Sequence, residues 1–268
     1  QGGDINNGDE WNVDINRNYT PKSWMYAHIH HGAFTYYYRS SQWGLKPPTG
    51  GLVGKFIHIA GKDKGGRAHY FSFNEFWQAA TVVIYSESSS GSVHDDYEIF
   101  STTIHELGHV AFWEYGYSIG QYLVDYVFRK AIMTESWSMC VENFITKKIY
   151  PNAPKISGYD YKEYSDFQRR TISSAKADGY TSLFIDLIDN YNQSRYGASY
   201  PKDNVYGYSI SQLENALDKT FIDLSLVGLQ ILEPLYESFA YTTYQNKLIN
   251  LYNNPTENKI TELFDNYD

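Results

Sequence analysis

Hydrophobic and polar positions follow two different patterns along the chain. In the first third, short apolar stretches alternate with Gly, Pro and Ser clusters, a pattern typical of a small sheet. β-Branched and aromatic residues predict strands at 55–60 (KFIHIA) and 81–85 (TVVIY), with a polar loop at 61–67. The aromatic stretch 22–40, whose only helix breaker is Gly32, predicts a helix.

From Asp95 onward the pattern becomes mainly helical. We expect helices at 96–115, 122–150, 161–177, 183–191 and 210–218, and two more beyond 223. The predicted fold class is therefore α+β, with a small sheet in an N-terminal α/β lobe and a mainly helical C-terminal lobe.

Three segments follow from this division. Residues 1–20 are rich in Gly, Asn and Asp and predict a flexible tether. Residues 21–120 form the α/β lobe, which ends in the helix at 96–115, and residues 121–268 form the helical lobe. The chain starts at Gln1 instead of Met, which suggests a trimmed or a mature form. A tether of this composition is the sort that follows a cleaved export signal, so we expect an exported protein, at the cell surface, in the periplasm or secreted, with a lipid anchor upstream of Gln1 as an open option.

The amino-acid composition limits the kinds of partner that the protein can bind. The net charge of -9 and the pI of about 5.3 argue against nucleic acid and anionic lipid, because both need a basic surface. No apolar run is long enough for a transmembrane segment.

Aromatic residues make up 18% of the chain, and more than half of them are tyrosines, which suit solvent-exposed clefts as well as the hydrophobic core. The single cysteine, Cys140, excludes an internal disulfide and a cysteine-built zinc site, and its predicted helix favours a packing role. We expect a monomer.

One motif carries chemistry. His105-Glu106-Leu107-Gly108-His109 is a complete H-E-x-x-H inside the predicted helix at 96–115. Positions i and i+4 lie on one helix face, so both imidazoles can reach one metal ion, while Glu106 can act as a base beside them. The flanking residues are too apolar for a solvated helix, which favours a buried site.

A catalytic zinc ion needs a third protein ligand. The extended motif with a third histidine is excluded because the chain has Phe112 and Tyr115 where Gly and His would be required. No histidine follows His109, so the third ligand must be an acid on a later helix. Glu135 and Glu142 both qualify and are two turns apart on one face, which leaves the choice open.

These residues resemble the gluzincin clan of zinc metallopeptidases. The segment from Glu135 to Glu142 (ESWSMCVE) is similar to the E-G-F-A-x-Y-x-E segment of gluzincin aminopeptidases, where the first Glu binds zinc. The pattern over roughly 25–150 also resembles bacterial exported or lipid-anchored zinc proteases. The resemblance implies a zincin-like fold, a Zn²⁺ cofactor and Glu135 as the third ligand.

The chain departs from the family in two places. Thermolysin-like members carry an Asp one turn after the ligand Glu to orient a zinc-bound histidine, and here that position is Met139, so another polar group must do this. The Gly-x-Met-Glu-Asn signature of the aminopeptidases is missing, so we expect an endopeptidase. Family members often use a Tyr or His of the C-terminal lobe to stabilise the oxyanion. With no histidine there, Tyr206 and Tyr208 are the candidates.

Two functions are kept open. The first is a zinc-dependent metallopeptidase that cleaves a peptide or protein substrate with a zinc-bound water activated by Glu106. The second is a non-catalytic peptide- or glycan-binding module on a zincin scaffold. In gluzincins an edge strand beside the metal helix pairs with the substrate, and strand 81–85 is either that strand or an ordinary core strand. For His28, His30 and His31, packing or hydrogen bonding is favoured over a second metal site.

Overall fold

Helices make up most of the described chain, and a small sheet accompanies them. The computed structural model describes residues 17–18, 20–48, 57–65, 68–70, 82–114, 132–153, 155–156, 159–160, 171–178, 180–220 and 233–267. The helices are α1 (Pro21–Phe34), α2 (Asp96–Glu114), α3 (Ile132–Ile149), α4 (Ile172–Asp178), α5 (Leu183–Asp186), α6 (Ile210–Thr220), α7 (Glu233–Leu251) and α8 (Ile260–Asp265). None of these helices is long and apolar enough to cross a bilayer.

The main sheet has three described strands in the order β1 (Ile59–Gly65), β3 (Val82–Glu87), β2 (His69–Tyr70). β1 runs parallel to β3, and β2 runs antiparallel to it. A second, two-stranded sheet pairs β4 (Lys155–Ile156) with β5 (Tyr159–Asp160). Helices together with these sheets agree with the predicted α+β class.

The strand predictions are confirmed in part. Of the strand expected at 55–60, residues 55–56 lie outside the described residues, and the described strand begins at Ile59 and continues to Gly65, through most of the predicted polar loop. The polar residues of β1 have a low strand propensity. They form a strand because their backbone pairs with β3. The strand expected at 81–85 is confirmed as β3, but β3 lies between β1 and β2. Among the described residues, β2 pairs only with Val82 and Val83 of β3, so the choice between a substrate-pairing strand and an ordinary core strand stays a prediction.

The helix predicted at 22–40 is confirmed as α1, which continues into a π-helical turn (Thr35–Arg39). A Cβ atom built on Gly32 would lie 2.9 Å from Cβ of Thr103, so glycine is needed for the close approach of α1 to α2. α2 begins where expected because the Glu98 carboxylate accepts a hydrogen bond from the backbone N–H of Asp95 at 2.7 Å.

The later helix predictions are confirmed in part. The described part of the helix expected at 122–150 is α3, and that of the helix expected at 161–177 is α4; the remaining residues of both ranges are largely outside the described residues. The helix expected at 183–191 is too long. It ends at Asp186 because the Leu187 and Ile188 carbonyls accept hydrogen bonds from Tyr208 and Gly207 instead.

One hydrophobic core joins residues from both halves of the chain. It includes Met25 of α1, Leu107 of α2, Trp137 of α3 and Leu213 of α6, all fully buried. α2 and α3 pack side by side within this core, and the two helices carry the residues of the predicted metal site. The division at 1–20, 21–120 and 121–268 stays a prediction.

Candidate metal centre

His105 and His109 face the same side of α2, one turn apart. Their Nε2 atoms are 3.1 Å apart and their ring centroids 4.8 Å apart. Both side chains are largely buried, with 14% and 11% of their surface exposed. The i, i+4 spacing of the motif thus brings two ligand nitrogens to one point, as the sequence predicts.

A glycine allows α3 to approach this point closely. A Cβ atom built on Gly108 would lie 3.1 Å from the Cα atom and 3.2 Å from Oγ of Ser138. Because the backbones nearly touch, the side chains that flank Ser138 on α3, Glu135 and Glu142, can reach His105. This role of the glycine inside the H-E-x-x-H motif cannot be recognised from the motif alone.

Glu135 completes the group of potential ligands. Its Oε2 atom lies 3.5 Å from Nε2 of His105 and 3.5 Å from Nε2 of His109. In the described part of the chain, these three residues are the one group of His, Cys, Asp or Glu side chains whose ligand atoms meet within 4.8 Å. Tetrahedral zinc with bonds of about 2.0–2.2 Å separates its ligand atoms by about 3.3–3.6 Å. The donor set of two nitrogens and one oxygen, at these separations, therefore fits a zinc ion.

Glu142 contacts the opposite edge of the same imidazole. Its Oε2 atom lies 3.0 Å from Nδ1 of His105, and its side chain is fully buried. Nδ1–H donates to the carboxylate, so in the neutral ring the Nε2 lone pair faces His109 and Glu135. Glu142 thus takes the orienting position that is Asp in thermolysin-like enzymes, while Met139 is buried among hydrophobic residues.

The electrostatics of the centre favour a bound cation. Burial lowers the pKa of His105, but the hydrogen bonds of Glu135 and Glu142 and the charges of Glu142 and Glu106 outweigh it and raise that pKa well above its usual value. Desolvation raises the pKa of Glu135, and the two histidines together lower it well below its usual value. The cluster therefore holds positive charge between its carboxylates, and a metal ion would replace the imidazolium proton there.

Glu106 lies beside the ligand group without joining it. Its side chain is buried, and its negative charge acts on His105. A buried carboxylate next to the ligands, but outside the metal-binding group, has the placement that a general base requires.

No family model, curated protein or solved structure matches this chain. What the structure shows is a His105, His109 and Glu135 group at metal-binding separation.

Tyr206 and Tyr208 are not brought to this centre by any described contact. Tyr206 is 46% exposed, and its backbone N–H donates to Oγ1 of Thr256 at 3.1 Å. Tyr208 is buried against Tyr252, and burial together with the charge of Glu257 raises its pKa to about 12. Among the described residues, neither tyrosine contacts the two histidines or Glu135, so their role with the oxyanion stays a prediction.

The other candidate metal ligands pack instead. His31 lies 3.3 Å from the hydroxyl of Tyr150 and packs its ring against Phe100, and His28 packs against Trp24. These contacts agree with the packing interpretation of the histidine cluster. Cys140 is buried and burial raises its pKa strongly, which agrees with a packing role.

Proposed function

We propose that this protein is a zinc-dependent metallopeptidase that hydrolyses peptide bonds. The observation that carries the proposal is the convergence of His105 Nε2, His109 Nε2 and Glu135 Oε2 at 3.1–3.5 Å, with Glu106 buried beside them. Three protein ligands leave one position of a tetrahedral ion open, which distinguishes catalytic from structural zinc sites. On this proposal the fold is zincin-like and the chain is a distant gluzincin.

Each residue of the centre has a distinct task. Zinc, when bound, would act as a Lewis acid on the amide carbonyl and would lower the pKa of a water molecule. Glu106 accepts the proton of the attacking water and returns it to the leaving amine. Glu142 holds the His105 ring so that Nε2 faces the metal position.

The proposal is tested by metal content followed by cleavage of a peptide library. Wild-type protein should bind one zinc ion per chain and cleave internal peptide bonds. Glu106→Gln should keep the zinc and lower the cleavage rate by at least about 100-fold, because it removes only the base. Glu262→Gln, on α8, is the matched control and should behave like wild type.

Two results would contradict the proposal. Cleavage that survives Glu106→Gln unchanged would show that the activity does not use this centre. Stoichiometric zinc without cleavage of any library would favour the peptide- or glycan-binding module instead.

A further inference from the structure

A second cluster of acidic side chains lies away from the metal centre, where α5 meets the loop that follows it. Asp186 is fully buried and accepts three hydrogen bonds, from Ser182 Oγ at 2.8 Å, Tyr267 OH at 3.1 Å and Gln193 Nε2 at 2.7 Å. Three donors on one carboxyl group favour its ionised form. Asp186 is therefore a buried carboxyl group in a built polar pocket.

A second buried carboxyl group, that of Asp203, lies close enough to Asp186 to interact with its charge. Asn192 precedes Gln193, and Asn204 follows Asp203. Nδ2 of Asn192 donates to Oδ1 of Asn204 at 2.7 Å, so the two segments lie side by side. Only 3% of Asp203 is exposed, and neither of its carboxyl oxygens has a hydrogen-bond partner. Burial first, and then the charges of Asp186 and Asp189, raise the pKa of Asp203 to about 10. The backbone N–H of Val205 acts in the opposite direction but does not reach hydrogen-bond geometry.

A third oxygen in the pocket also lacks a donor. Gln193 is fully buried, and while its Nε2 donates to Asp186, its Oε1 has no partner. Buried oxygens without donors are costly, and two neighbouring buried carboxyl groups cannot both ionise without a balancing positive charge. A positive ion among these oxygens would remove both costs at once.

We propose that Asp186, Asp203 and the side-chain oxygen of Gln193 form a binding site for a calcium ion, separate from the His105 centre. The donors are all oxygens, which suits a hard cation and not zinc. The pocket is closed to solvent, which favours Ca²⁺ over Mg²⁺, because Mg²⁺ keeps several of its waters. Backbone carbonyls or a few waters would complete the six to eight ligands that Ca²⁺ takes.

A calcium ion at Asp186 would also stabilise the structure around the His105 centre. α5 packs against α3, and the backbone N–H of Thr181, just before α5, donates to Oγ of Ser136 at 2.8 Å. Ser136 follows Glu135, so a cation on Asp186 stabilises the loop and helix against which the third zinc ligand is held.

Thermal unfolding in chelator and in saturating calcium tests the proposal. Calcium should raise the Tm of wild-type protein by about 5 °C or more, and magnesium should raise it less. Asp203→Asn should remove the calcium response. In chelator this variant should be at least as stable as wild type, because it removes a buried carboxyl group that has no donor.

Matched controls separate this site from others. Asp265→Asn, an exposed change on α8, should keep the full calcium response. Glu135→Ala should also keep it, which distinguishes the site from the His105 centre. If Asp203→Asn does not fold, the calcium content of wild-type protein after gel filtration decides, with one ion per chain expected. No calcium in wild-type protein, or an equal Tm rise in Asp203→Asn, would overturn the proposal.

Discussion

The Nδ1 atom of His105 lies 3.0 Å from Oε2 of Glu142, and Oε2 of Glu135 lies 3.5 Å from Nε2 of the same ring. One imidazole is thus held between two glutamates of α3, which are two turns apart. The two acids have different tasks, since one shares the metal position with His109 and the other fixes the ring.

Replacing Glu142 should weaken zinc binding without abolishing it. We expect a loss of affinity of about 10-fold for Glu142→Gln, which keeps a hydrogen-bond acceptor, and up to about 100-fold for Glu142→Ala. Zinc affinity measured by competition with a chromogenic chelator checks this, with Glu262→Gln as the control. If Glu142→Gln bound no zinc while Glu135→Ala bound it normally, the two assignments would be reversed.

Gly108→Ala should disturb the zinc site by separating two helices. The added Cβ would lie 3.1 Å from Cα of Ser138, which is backbone and can move only with α3. We expect an overpacking cost of about 1–3 kcal/mol and a loss of zinc affinity of about 10-fold or more. Gly32→Ala, crowded against Thr103 on α2, is the control. It should lower the free energy of unfolding but leave zinc affinity unchanged, and equal zinc affinity in both variants would refute this explanation.

Zinc removal should lower the thermal stability of the protein. Binding to the folded state alone adds about 4 kcal/mol when zinc is present at a thousand times its Kd. The Tm should therefore fall on dialysis against chelator and recover with zinc, and Glu135→Ala should show no such recovery. A zinc-dependent Tm rise of wild-type size in Glu135→Ala would exclude Glu135 as a ligand.

The local part of the centre was predictable from spacing, whereas the choice between the two acids came only from the family resemblance, which favoured Glu135. The spacing of His105 and His109 fixes their common helix face whatever surrounds it. Glu135 and Glu142 share one face of α3, so spacing cannot tell which of them meets Nε2 and which Nδ1. That difference depends on the closeness of the helices at Gly108, a tertiary contact.

Two further features, the extent of β1 and the Asp186 pocket, also depend on contacts between residues far apart in the sequence, which local patterns do not show. β1 runs further than the sequence predicts, to Gly65, because its polar residues form a strand only by pairing with β3. The Asp186 pocket was not recognised because the 200–208 segment folds back onto the residues after α5. The one local signal was Asp186 within the apolar run FIDLI, an unusual place for an acid.

Without calcium, the stability of the protein should fall as the pH rises above ~4, where an ordinary aspartate ionises. Burial and the charge of Asp189 raise the pKa of Asp186, and burial and the charges of Asp186 and Asp189 raise that of Asp203. The folded state then holds protons that the unfolded state has lost, so a higher pH favours unfolding.

The free energy of unfolding, measured against pH in chelator, checks this direction. Asp203→Asn should flatten the profile, and calcium should do the same in wild-type protein. Nearby titratable groups are Tyr267, which donates to Asp186, and Lys147, which acts on Asp189, and neither of them changes in these comparisons. A profile of Asp203→Asn identical to that of wild type would contradict the prediction.

A crystal structure of the zinc-loaded protein, with anomalous data collected at the zinc absorption edge, tests the central claim most directly. We predict one strong anomalous peak at about 2.0–2.2 Å from His105 Nε2, His109 Nε2 and Glu135 Oε2. Glu142 should remain on Nδ1 of His105, outside the bonding distance. A peak bonded to Glu142 instead of Glu135, or no peak between the two histidines, would contradict it.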